Sequence, residues 1–90
     1  MSVTLRDNMK KTLVNINHEQ KAEIIAIEGG KVFEARLNSM GIRIGKSVKK
    51  ISSHFLKGPQ TVEIGNTRIA IGYNMAKKIL VEIKHEHNKR

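Results

Sequence analysis

A small, mainly β barrel is the fold this sequence predicts, and three observations predict it. The chain has 90 residues, enough for one hydrophobic core and too few for two. Short, β-rich aliphatic runs recur along it, separated by turn residues. Between the first two runs lies one short helix cut off by a glycine, within Arg36-Leu37-Asn38-Ser39-Met40-Gly41-Ile42-Arg43-Ile44-Gly45.

Residues 1–11 read as a polar, basic N-terminal extension, either a frayed terminus or a short amphipathic helix carried by Leu5, Met9, Leu13 and Ile16. The domain proper spans 12–83. Its first strand is Ala22-Glu23-Ile24-Ile25-Ala26-Ile27, closed by Gly29-Gly30. A helix follows over 31–40, with Phe33, Leu37 and Met40 on one face. Gly41 is the left-handed cap, since only glycine takes positive φ without a Cβ penalty. Ile42 then folds back on Leu37, as a Schellman ending requires.

The second strand covers Lys46 to Ser52 and is more basic and less strictly alternating. After a loop ending at Gly58-Pro59 comes a hairpin over Gln60 to Gly72, turning at Gly65-Asn66. Counting back from that turn pairs Ile64 with Thr67, Glu63 with Arg68 and Val62 with Ile69. Val62, Ile64, Ile69 and Ile71 therefore share one face. Tyr73 to Lys78 is long enough for one helical turn. The last strand, Ile79 to Ile83, turns Ile79, Val81 and Ile83 inward, and residues 84–90 form a charged tail. Five strands, one helix after the first and a helical turn before the last define a small SH3-like barrel. Ring closure would remove the exposed edges of such aliphatic strands.

Aromatic residues are 3% of the chain (Phe33, Phe55, Tyr73), so the core is aliphatic. There is no cysteine, which excludes disulfides, thiolate metal sites and thiol catalysis. No apolar run approaches the ~18 residues that cross a bilayer, and Arg6, Asp7, Lys10 and Lys11 interrupt any secretory signal. A cytoplasmic protein is expected. Seventeen Lys and Arg against eight Asp and Glu give a net charge of +9, which favours an acidic partner.

In order and spacing, residues 12–83 resemble the ferrous-iron transport protein A (FeoA) family. Its Arg-Leu-x-x-apolar-Gly-apolar-x-x-Gly pattern falls on Arg36, Leu37, Met40, Gly41, Ile42 and Gly45. Its Gly-Pro loop falls on Gly58-Pro59, its hairpin on Val62, Ile64 and Ile69-Ala70-Ile71, and its late alanine on Ala76. Glu19 departs from the pattern, standing where a glycine is usual. The resemblance implies an SH3-like cytoplasmic accessory protein of bacterial ferrous-iron uptake. Its implied partner is the FeoB-type membrane transporter with its cytosolic GTP-binding portion.

No catalytic constellation is visible: no phosphate loop, no paired carboxylates, no oriented nucleophile and no cofactor motif. The expected partner-binding residues are Phe55, Leu56 and Lys57 beside the Gly-Pro turn, with Lys49 and Lys50. An apolar anchor in a basic rim suits a protein interface, with the inner membrane surface or a second copy as further contacts. Lys46, Lys77 and Lys78 extend the basic surface. Arg36, Leu37, Met40, Gly41, Gly45, Gly58 and Pro59 shape the fold. Two other functions are kept: a small nucleic-acid-binding protein, favoured by the charge, and a metal-sensing module using His54, His85 or His87.

Overall fold

The computed structural model of the chain describes residues 9–53 and 58–83. Six strands form one antiparallel sheet: β1 (Met9–Thr12), β2 (Lys21–Ile27), β3 (Ser47–Ser53), β4 (Gln60–Ile64), β5 (Thr67–Ile71) and β6 (Ile79–Ile83). Their order across the sheet is β1-β6-β2-β3-β4-β5. A 3₁₀ turn (Leu13–Asn15) follows β1, helix α1 (Lys31–Ser39) joins β2 to β3, and α2 (Tyr73–Ala76) joins β5 to β6.

Alternation drives the sheet around its core. Ala22 and Ile24, Val62 and Ile64, and Ile79, Val81 and Ile83 all point inward and are buried, because inward and outward side chains alternate along a strand. Leu13, Ile16, Leu37, Ile42 and Ala76, from the turns and helices, complete the same cluster. The aliphatic core is as the sequence indicates. Each Val, Leu or Ile among them contributes about 1.5–3 kcal/mol by leaving water.

The hairpin register is the expected one, with Ile64 opposite Thr67, Glu63 opposite Arg68 and Val62 opposite Ile69. Gly65 takes φ 63°, the first-position glycine of a tight hairpin turn whose twist matches the strands. The helix ends as expected too. Gly41 has φ 92°, its N–H donates to Asn38 O at 3.0 Å, and the Ile42 N–H donates to Leu37 O at 3.0 Å. Leu37 and Ile42 are both fully buried, so the backbone motif and its hydrophobic contact are present together.

Two expectations need correction. Residues 9–12 are not part of a loose extension or a helix. They form β1, with Met9 opposite Ile83 and Thr12 opposite Leu80, because β6 presents an open edge whose backbone groups take partners from Met-Lys-Lys-Thr whatever its side-chain pattern. This sixth strand is the one absent from the sequence reading. Nor do the strand ladders close into a ring: the order runs from β1 at one end to β5 at the other. The barrel is SH3-like but, among the described residues, keeps two edges.

Candidate docking surface

β3 carries the two lysines singled out by the sequence, and they part ways. Lys49 lies on the outer face. Its Nζ is 3.1 Å from the Glu19 carboxylate, and the register sets it between Lys21 of β2 and Glu63 of β4. Arg68 of β5 is next in the same row.

Lys50 is the correction. It is only 2% exposed. Its ammonium donates to Ile16 O at 3.0 Å and Val14 O at 3.4 Å. Burial pushes its pKa below the ordinary lysine value, since desolvation disfavours the charged form. Lys50 thus pins the 3₁₀ turn to the sheet and contributes nothing to a surface patch. The signal was available in the strand's parity. Val48 is inward and fully buried, so Lys50, two residues on, is inward as well. A bulge between Lys50 and Ser52 displaces Ile51 and hides that alternation.

Glu19 explains itself through its backbone. It is the non-glycine residue with positive φ among those described, at 70°. That is the left-handed region where glycine carries no strain, and so the reason a glycine is usual there. Its N–H donates to Lys50 O at 2.7 Å. The hydrogen bond and charge of Lys49 hold its carboxyl below the ordinary value.

Phe55, Leu56 and Lys57 lie outside the described residues, as do His54, His85 and His87. Among the described residues no three His, Asp or Glu side chains gather as metal ligands. His18 reaches only the Glu19 carboxylate, at 3.7 Å. The remaining lysines are spread out. Lys77 lies 5.8 Å from the Tyr73 ring centre and Lys78 5.2 Å from that of Phe33, whereas Lys46 stands beside Arg43 after α1.

A feature that the sequence reading missed is a hollow of about 320 Å³ between the turn after α1 and the β4–β5 hairpin. Met40, Arg43, Lys46, Ile64, Thr67 and Ile69 line it. Met40, placed by its spacing on one helix face with Phe33 and Leu37, is 37% exposed here, and the neighbouring Ile44 is 52% exposed. Met40 is the cap residue of α1, past the last turn that faces the core.

Among the described residues, a curled six-stranded sheet with a capped helix and an apolar hollow beside β5 defines a small SH3-like domain. A family model of the FeoA domain matches residues 11–83, and the chain belongs to the FeoA family. No curated protein matches it. Among solved structures it is similar to an iron uptake regulatory protein (FeoA), with 28% identity and a TM-score of 0.74, covering 83% of this chain and 99% of the other. It is similar to iron(II) transport protein A from Clostridium thermocellum at 25% identity and a TM-score of 0.74, covering 80% and 44%. A manganese-dependent transcriptional repressor shares the fold at 15% identity and a TM-score of 0.76, covering 90% of this chain and 45% of that one.

Proposed function

We propose that this chain is an accessory protein of ferrous-iron uptake that acts by docking on the cytosolic portion of a FeoB-type, GTP-dependent transporter. Membership of the FeoA family associates it with ferrous-iron transport. The observation that carries the docking reading is the surface: a net charge of +9 on a small barrel with an edge that none of the described residues covers. Such a surface recruits an acidic protein face and speeds encounter with it. Binding rather than chemistry is the reading for the described residues, where nucleophile, base and orienting group are not assembled. Among them no helix is long and apolar enough to cross a membrane, and the transporter would supply the membrane location.

The test is uptake of radiolabelled ferrous iron by cells lacking this chain, with the chain restored on a plasmid. Uptake that changes on removal and returns on restoration supports the reading. Identical uptake with and without the chain, in cells shown to express the transporter, refutes it.

A further inference from the structure

The β5 edge and the hollow beside it are two views of one place. Among the described residues β5 has a ladder on one side only, to β4. In a hairpin closed by a two-residue turn, Ile64 and Thr67 exchange both backbone hydrogen bonds, and every second pair repeats this. Val62 with Ile69 and Gln60 with Ile71 are therefore bonded pairs. Arg68 and Ala70 fall between them, so their N–H and C=O groups point to the free edge. Both residues are exposed. An exposed edge strand of this kind is a template for another extended chain.

The side chains beside that edge have a definite chemistry. On the inward face of the hairpin, Val62, Ile64 and Ile71 are buried, but Ile69 is only partly covered and Thr67 is exposed. The core reaches the surface there and continues into Met40 across the hollow. Arg43 and Lys46 stand on the opposite bank, Arg68 is on the edge strand itself, and among the described residues no carboxylate lines the hollow.

We propose that the β5 edge and its hollow bind an extended, acidic segment of a protein partner, which adds to the sheet as a seventh strand. Its backbone pairs with Arg68 and Ala70. Side chains on the face of that strand turned to the hollow enter it: apolar ones pack against Ile69 and Met40, and carboxylates reach Arg43 and Lys46. Main-chain pairing gives affinity in this mode and the pockets for alternate side chains give specificity. The apolar floor selects against an RNA or a lipid headgroup, which would offer phosphates but no such side chains. This inference rests on the reading that the chain works by docking on a protein, and it names the chemistry of what docks.

The experiment uses the full chain and a fluorescein-labelled peptide repeating Val-Val-Glu-Glu, so that each face of the extended strand carries both residue types, followed by fluorescence anisotropy at physiological salt. A second peptide, with every Val replaced by Ser, carries the same charge. The Glu/Val peptide is expected to saturate and the Glu/Ser peptide to bind at least about tenfold more weakly. The double variant Arg43→Glu with Lys46→Glu, at exposed positions, is expected to lose about tenfold in affinity. Lys10→Glu with Lys31→Glu makes the same change in net charge elsewhere and is expected to stay within about twofold. In ¹⁵N spectra the Arg68 and Ala70 amides are expected to shift on saturation.

Equal binding of both peptides, or equal loss in both double variants, overturns the proposal in favour of unspecific charge attraction. So does unchanged peptide affinity when Arg43 and Lys46 are reversed. A single-stranded RNA or phosphatidylglycerol vesicles that displace the peptide more strongly than unlabelled peptide does would assign the site to phosphates instead. The two levels of the account separate in one further titration. If the Arg43/Lys46 variant still binds the full-length transporter as wild type does, the assignment of this edge fails while docking stands. If wild type binds the peptide but not the transporter, the choice of partner fails and the edge site stands.

Discussion

Replacing Lys50 distinguishes the buried tether from an ordinary surface lysine. In Lys50→Ala, three methylenes leave the core, each contributing about 0.8 kcal/mol by burial, or roughly 2.4 kcal/mol together. The carbonyls of Ile16 and Val14, held by the ammonium at 3.0 and 3.4 Å, lose that donor. Leaving a buried acceptor unpaired costs about 1–3 kcal/mol. Relief of the desolvated charge opposes both, so the net loss is about 3 kcal/mol. A domain of this size holds roughly 5–13 kcal/mol in all. At about 4–8 °C per kcal/mol, the melting temperature falls by roughly 12–24 °C.

The assay is thermal unfolding by circular dichroism at neutral pH, with Lys49→Ala alongside. Lys49 is on the outer face and its replacement is expected to shift the midpoint by only about 2–4 °C or less. If Lys50→Ala melts as close to wild type as Lys49→Ala does, the inward placement of Lys50 is refuted. Lys50→Met keeps the buried stem and adds a pH signature. The folded-state pKa of Lys50 is lowered below 10.5, so the folded chain gives up this proton first as pH rises. The unfolded chain then binds more protons, and stability rises with pH between the two values. Wild type should therefore gain on Lys50→Met across the alkaline window approaching 10.5, and a constant difference there would contradict the burial.

Other outcomes follow from single positions. Glu19→Gly relieves a left-handed backbone at φ 70° and should raise the melting temperature despite the lost ion pair, which is exposed and weak; a lower midpoint would refute the strain. The Glu19 carboxyl pKa is lowered from 4.5, so what the pair with Lys49 adds is present above that value and lost as pH falls through the folded pKa; the difference between wild type and Glu19→Gln should shrink on acidification. Gly41→Ala forces a side chain onto φ 92° and should cost about 1–2 kcal/mol in urea unfolding. Gly72→Ala, at φ −62° with open space around it, should be close to neutral.

Much of the fold was legible because a few residues fixed it locally. Gly65-Asn66 set the hairpin register, Gly41 with Ile42 set the helix end, and Ile79, Val81 and Ile83 set the last strand's inward face. β1 was not legible: Met9-Lys10-Lys11-Thr12 has no apolar alternation, and its pairing comes from the open edge of β6. The residue type of Lys50 points to the surface, whereas the strand's parity, with Val48 inward, points to the core. The hollow at β5 depends on how the turn after α1 lies against the hairpin, a long-range relation that local pattern does not encode. The resemblance to the FeoA family was legible in the glycine and apolar spacing, and the family match over residues 11–83 agrees with it.

The most direct test of the account is calorimetric titration of the full chain into the full-length FeoB-type transporter in nanodiscs, with and without a GTP analogue. Saturable binding that weakens as salt is raised is expected, because a chain of net charge +9 is steered to and held by an acidic face. Absence of saturable binding in either nucleotide state, with the transporter shown to bind the analogue, would contradict it.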